Sequence, residues 1–175
     1  RFIKFKLPAH LATADGLLNI LIDYEGQTEA ISRAIPIVMN NIKVQLLPEG
    51  GDLVNGLESR VAFRAVNEFG KPADVEGIVL NEKGNEVASF KSFHQGMGEF
   101  KITPVGGEKY SVKIIKPEGI KEKFPLPETL QRGYALTADN SSKDELYLQI
   151  GTTESEELSL VAQVRGQLFY STAIL

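Results

Sequence analysis

Ser59-Arg60-Val61-Ala62-Phe63-Arg64-Ala65-Val66, closed by Asn67-Glu68-Phe69-Gly70-Lys71, is the stretch that decides the fold class. Val61, Phe63 and Ala65 alternate with Ala62, Arg64 and Val66, a period of two that suits a β-strand. The polar cluster that follows contains Gly70, which supplies the positive φ that a tight reversal often needs. The same pattern recurs further along. Tyr110, Val112 and Ile114 alternate with Lys109, Ser111 and Lys113, and Ile120, Glu122, Phe124 and Leu126 face away from Lys121 and Lys123. No run of i, i+3, i+4 apolar spacing is as long as an average helix.

Turn signals punctuate these runs at intervals of roughly ten residues, a spacing typical of β-sandwiches. They are Tyr24-Glu25-Gly26-Gln27, Asn67 to Lys71, Asn81-Glu82-Lys83-Gly84-Asn85, Val105-Gly106-Gly107-Glu108 and Lys116-Pro117-Glu118-Gly119. Between them the pattern predicts seven strands, near Lys43–Leu47, Ser59–Val66, Val75–Asn81, Glu86–Phe93, Glu99–Thr103, Lys109–Lys116 and Lys121–Leu126. Seven antiparallel strands in under about 100 residues match the content of an immunoglobulin-like sandwich. One complete module is therefore expected over residues 42–130, and the fold class is all-β.

The flanks read differently. Phe2–Leu7, Leu17–Asp23 and Ala30–Val38 are expected as strands, so residues 1–41 read as the closing strands of a preceding sandwich. Residues 131–175 read as the opening strands of a following one, near Tyr134–Asp139, Glu145–Gly151, Leu158–Arg165 and Leu168–Thr172. A second arrangement pairs the two flanks with each other, within one chain or between two chains as a dimer through exposed terminal strands. A half-sandwich leaves an apolar face wet and strand edges unpaired, which favours some such partner. Pro117, Pro125 and Pro127 restrict the connection after the central module.

Composition bounds the function. The chain has 175 residues, 42% of them hydrophobic and 24% charged, enough apolar matter for a packed core. A net charge of −4 argues against nucleic acid as a partner, since non-specific binding needs a basic surface. No stretch approaches the roughly 20 apolar residues of a transmembrane helix. Cysteine is absent, which removes disulfides, thiol catalysis and thiolate metal sites together. The opening at Arg1 and the apolar run to Leu175 suggest a piece of a longer polypeptide, whose neighbouring domains would be natural partners.

Three segments carry a family resemblance. Leu47-Pro48-Glu49-Gly50-Gly51-Asp52-Leu53-Val54-Asn55-Gly56-Leu57, Gly70-Lys71-Pro72-Ala73-Asp74-Val75-Glu76-Gly77 and Ser92-Phe93-His94-Gln95-Gly96-Met97-Gly98-Glu99-Phe100 are joined by Arg60 to Ala65. Together they resemble the macroglobulin-like domains, related to the α2-macroglobulin fold, of large Bacteroidetes-type cell-envelope proteins. Some of those proteins also carry a plug domain of the TonB-dependent receptor kind. The resemblance implies sandwich modules exported to the periplasm or outer membrane of a Gram-negative cell, and it implies no reaction. The thioester of true macroglobulins needs a Cys and a Gln in one motif, and this chain has no Cys.

Candidate sites are sparse. His10 and His94 are the only histidines, and neither has an acidic neighbour at the spacing of a metal motif. Gly96-Met97-Gly98 leads into a strand where a phosphate loop would lead into a helix, so a tight strand connection is expected. Glu49 and Asp52, with Asn55 and Glu58 nearby, fall short of the six to eight oxygens of a good Ca²⁺ site. Tyr110, entering the sixth strand after Gly106-Gly107, has the position of a tyrosine corner. The reading is a structural and interaction module with no catalytic, cofactor-binding or metal residue. A ligand-binding module for glycan or protein is the alternative, with Tyr24, Tyr147, Phe169 and Tyr170 as its exposed aromatics.

Overall fold

The computed structural model describes residues 4, 16–35 and 41–174, and every regular element among them is a β-strand. The strands are β1 (Gly16–Tyr24), β2 (Gln27–Ile35), β3 (Ile42–Pro48), β4 (Leu53–Val54) and β5 (Ser59–Asn67). They continue as β6 (Glu76–Asn81), β7 (Glu86–Lys91), β8 (Met97–Ile102), β9 (Tyr110–Lys116) and β10 (Lys123–Pro125). The last five are β11 (Thr129–Leu130), β12 (Tyr134–Asp139), β13 (Tyr147–Thr152), β14 (Leu158–Val164) and β15 (Gln167–Ile174). The seven strands expected between residues 43 and 126 correspond to β3 and β5 to β10. Apart from Lys4, the strand expected at Phe2–Leu7 lies outside the described residues, as do residues 36–38 of the one expected at Ala30–Val38.

Two compact units divide the chain. The first takes its described residues from Arg1–Leu47, Val61–Phe100 and Lys109–Leu126; the second takes them from Pro48–Arg60, Lys101–Glu108 and Pro127–Leu175. Two sheets supply most of the first unit's strands, one ordered β3-β5-β8 and the other β10-β9-β6-β7. Along β5 the side chains of Ser59, Val61, Phe63, Ala65 and Asn67 are all buried, while Ala62 and Arg64 between them are exposed. The period of two read in the sequence is thus the burial pattern itself.

Three rings link the two sheets of this unit. Phe63 on β5 and Phe90 on β7 meet edge to face with centroids 4.7 Å apart, and Phe90 lies 5.5 Å from Phe100 on β8. Such pairs add to the burial of the rings themselves. Two glycines make the space. A Cβ on Gly77 would fall 2.3 Å from Phe90 Cζ, and one on Gly98 would fall 2.4 Å from Phe63 Cζ. Both belong to the segments that carry the family resemblance. Tyr110 is buried at the start of β9, its carbonyl accepting the Leu126 N–H at 2.9 Å.

The turns explain the connections. Asn67 and Asn81 open two copies of one loop, Asn-Glu-X-Gly-X. Asn67 Oδ1 accepts the N–H groups of Phe69 and Lys71, both at 3.0 Å, and Asn81 Oδ1 accepts those of Lys83 at 3.1 Å and Asn85 at 2.9 Å. In each loop the Asn carbonyl accepts the Gly N–H at 3.0 Å, with Gly70 at φ 75° and Gly84 at φ 82°. The side chain thus replaces a missing backbone acceptor, and only Gly takes the left-handed position without strain.

The terminal hairpins are built differently. Strands β1 and β2 pair antiparallel in register from Gly16↔Ile35 to Tyr24↔Gln27, across a two-residue turn with Glu25 and Gly26 both at positive φ. Strands β14 and β15 pair from Leu158↔Ile174 to Val164↔Gln167, with a bulge after Ala162 and the same kind of turn at Arg165-Gly166. Such turns match the natural twist of paired strands. Asn19 and Asp23 on β1 accept hydrogen bonds from Ser32 and Thr28 on β2, both at 2.6 Å.

Candidate functional site

Within the second unit the loop after β3 meets β12. Glu49 donates its N–H to the Arg60 carbonyl at 2.8 Å, which sets the two side chains beside each other. Glu49 Oε1 then accepts the Ala138 N–H at 2.8 Å, Arg60 Nη1 donates to the Ala138 carbonyl at 3.4 Å, and Arg60 Nε stands 3.5 Å from Glu49 Oε2. One ion pair therefore holds both backbone polar groups of Ala138. The approach is close: a Cβ on Gly50 would sit 3.2 Å from the Leu136 nitrogen.

Beside this clamp opens a cleft of about 330 Å³. Its floor is one face of the β12–β13 hairpin, because Ala135↔Gly151, Thr137↔Gln149 and Asp139↔Tyr147 are cross-strand partners that all line it. Its wall comes from Gly56, Leu57, Glu58 and Arg60, with Lys101. The end at Gly151 is narrow, since a Cβ there would lie 3.5 Å from Leu57 Cδ2 and 3.9 Å from Ala135 Cβ. The other end carries the polar groups.

The charges in this cleft balance. Arg60 and Lys101 face Glu58 and Asp139, and Lys101 Nζ donates to Glu58 Oε1 at 2.8 Å between two exposed side chains. Asp139 is held below the ordinary carboxylate range first by the Ser141 N–H, 2.9 Å from its Oδ1, and further by Arg60 and Lys101 nearby. It is an anion at neutral pH. The Tyr147 hydroxyl donates to Glu145, and that bond, more than burial, pushes the phenol up from its ordinary value. It therefore remains a neutral phenol in the physiological range.

Each residue singled out from the sequence has a definite place, apart from His10, which lies outside the described residues. His94 is exposed in the turn before β8, its carbonyl accepting the Met97 N–H at 2.9 Å. Gly96-Met97-Gly98 forms a tight strand connection leading into β8. Gly96 N–H donates to Asp74 Oδ1 at 2.8 Å, its carbonyl accepts the Ala65 N–H at 2.8 Å, and a Cβ on it would fall 2.3 Å from the Ala65 oxygen. Of the carboxylates considered for Ca²⁺, Glu49 serves the clamp, Glu58 pairs with Lys101 and Asp52 is exposed. Among the described residues no three His, Asp or Glu side chains form a group that could hold a metal ion.

The four exposed aromatics are scattered. Tyr24 ends β1, Phe169 and Tyr170 lie on β15, and Tyr147 alone lines the cleft, 58% exposed. Arg60, Lys101, Thr137, Asp139 and Gln149 were missed as site residues. The alternation of β12 and of β13, which pair as a hairpin, was the available signal, since it puts Thr137, Asp139, Tyr147 and Gln149 on one face. No helix of the described residues is long and apolar enough to cross a membrane. No family model matches the sequence, and no curated protein matches it.

Proposed function

We propose that this chain is a non-catalytic structural and interaction module of a larger exported bacterial envelope protein. In this reading residues 42–130 form an immunoglobulin-like, macroglobulin-like sandwich, and residues 1–41 and 131–175 contribute strands that associate with neighbouring domains of the same polypeptide. The strand order supports the sandwich. The chain runs through β3 and β5 in one sheet, β6 and β7 in the other, returns to β8, and closes with β9 and β10 in the second sheet. That alternation suits a Greek-key sandwich, and the Phe63–Phe90 contact spans the sheets as its core would. Two of the carboxylates considered as cation ligands, Glu49 and Glu58, are engaged with the Ala138 N–H and with Lys101, which favours a role without chemistry.

One observation carries the interaction role: the terminal hairpins expose rows of large apolar side chains. Leu17, Leu21 and Tyr24 on β1, and Leu168 and Phe169 on β15, are each more than 60% exposed. Contiguous exposed apolar surface marks interaction sites in soluble proteins. Hydrogen exchange tests the reading, comparing this chain alone with the same residues in the full-length parent. The amides of β1 and β15 are expected to gain protection in the parent. Equal exchange in both settings overturns the reading, and a concentration-dependent dimer of the isolated chain assigns the faces to a second copy.

A further inference from the structure

Five features of the second unit's cleft point to one kind of ligand. Its charges cancel, so neither a strong anion nor a strong cation is favoured. Thr137 and Gln149 each offer both a donor and an acceptor, as sugar hydroxyls do in return, and the Tyr147 oxygen, whose proton goes to Glu145, can still accept. Tyr147 adds an exposed ring, apolar on its face and polar at its tip, beside Leu148. The floor is a sheet face, whereas an extended peptide would take a strand edge with pockets for alternate side chains. The volume of about 330 Å³ sits at the small end of the roughly 300–1,000 Å³ range of small-molecule sites.

We infer that this cleft binds a short neutral saccharide, with Gln149 and Thr137 exchanging hydrogen bonds with its hydroxyls and a sugar ring stacked on Tyr147. The apolar end, where Leu57 closes over Ala135 and Gly151, is too narrow for a ring and bounds the site. Arg60 and Asp139, already oriented by the Ala138 clamp and by Ser141, present fixed polar groups at the opposite end. This site is separate from the exposed hairpin faces of the proposed interaction role and does not depend on it.

The test is an NMR titration of the whole chain with neutral mono- and disaccharides, and in parallel with glucuronic acid and glucosamine. Neutral sugars are expected to shift the amide signals of Thr137, Gln149 and Gly151 with millimolar affinity, and the charged sugars to bind more weakly. Gln149→Ala and Tyr147→Ala, both at exposed positions, are expected to weaken binding at least tenfold while the remaining spectrum stays dispersed. Tyr170→Ala, on β15, is expected to leave binding unchanged. No shift at these amides with any neutral sugar, shifts confined to β15, or tighter binding of a charged sugar than of any neutral one overturns the proposal.

Discussion

The central sheets and the terminal hairpins are written in the same alternating code, yet among the described residues only the former bury side chains fully. Along β5 every second side chain is buried, whereas β1 has only Gly16 and Leu18 even half-buried. The difference is the second layer. Phe63, Phe90 and Phe100 bring two sheets of the first unit face to face, while β1 pairs with β2 and β14 with β15 as two-stranded sheets. A lone hairpin is marginal in water, since pairing satisfies backbone groups without burying a side-chain face. Alternation therefore predicts a strand, and burial has to be supplied by something else in the fold.

The sharpest way to break this comparison is to remove one ring from each region. Phe90→Ala takes away the ring that touches both Phe63 and Phe100, and should cost about 3–5 kcal/mol in urea unfolding followed by circular dichroism. Phe169→Ala on β15, where the ring is 80% exposed, should change stability by less than about 0.5 kcal/mol. Equal losses at the two positions would mean that β15 has an interior after all.

A finer contrast lies between the twin Asn loops. Asn67→Ala leaves the N–H groups of Phe69 and Lys71 without that acceptor next to a buried position, and should cost about 1–3 kcal/mol. Asn81→Ala makes the same deletion where the hydrogen bonds are exposed and water can substitute, so a smaller loss is expected. If thermal unfolding shows equal losses, burial is not what separates the two loops.

The smallest effect is electrostatic. Glu76, on the central strand β6, faces Lys91 on β7 at 2.9 Å and Lys116 on β9 at 2.7 Å, and these two lysines hold its carboxyl down at about 2, from an ordinary 4.5. Because the folded pKa is depressed, this stabilisation is complete above about pH 4.5 and is lost as pH falls toward 2. Glu76→Gln should flatten the melting temperature within that window, its loss being greatest above about pH 4.5 and vanishing toward pH 2. The loss is small even at neutral pH, because the group is partly exposed and salt screens it. An unaltered acid profile in the variant would assign that slope to other carboxylates.

Much of the strand layout was legible because alternation and turn chemistry are local. The expected runs near Ser59–Val66 and Lys109–Lys116 match β5 and β9 to within a residue at each end, and the Asn-Glu-X-Gly loops announced themselves by composition. Strands β4 and β11 were not legible, since two residues carry no period and their pairing joins distant parts of the chain. The cleft was hidden for the same reason. Tyr147 stood out as an aromatic, but Arg60, Lys101 and Gln149 come together only when separate segments fold beside one another. Glu49 looked like a candidate cation ligand because no local pattern shows that its carboxylate takes up the Ala138 N–H.

The two-residue parallel pairing of β4 with β11 has a kinetic consequence. Leu53 and Val54 are fully buried, and their partners Thr129 and Leu130 follow only after most of the central chain. During synthesis β4 cannot meet its partner until residue 130 has left the ribosome, so those two apolar residues must wait while nearer contacts close. Pairings of such long sequence separation are slow to form because loop closure must come first. The second unit, which takes residues beyond Leu126, is accordingly completed after the first, and until β11 emerges Leu53 and Val54 lack that strand partner.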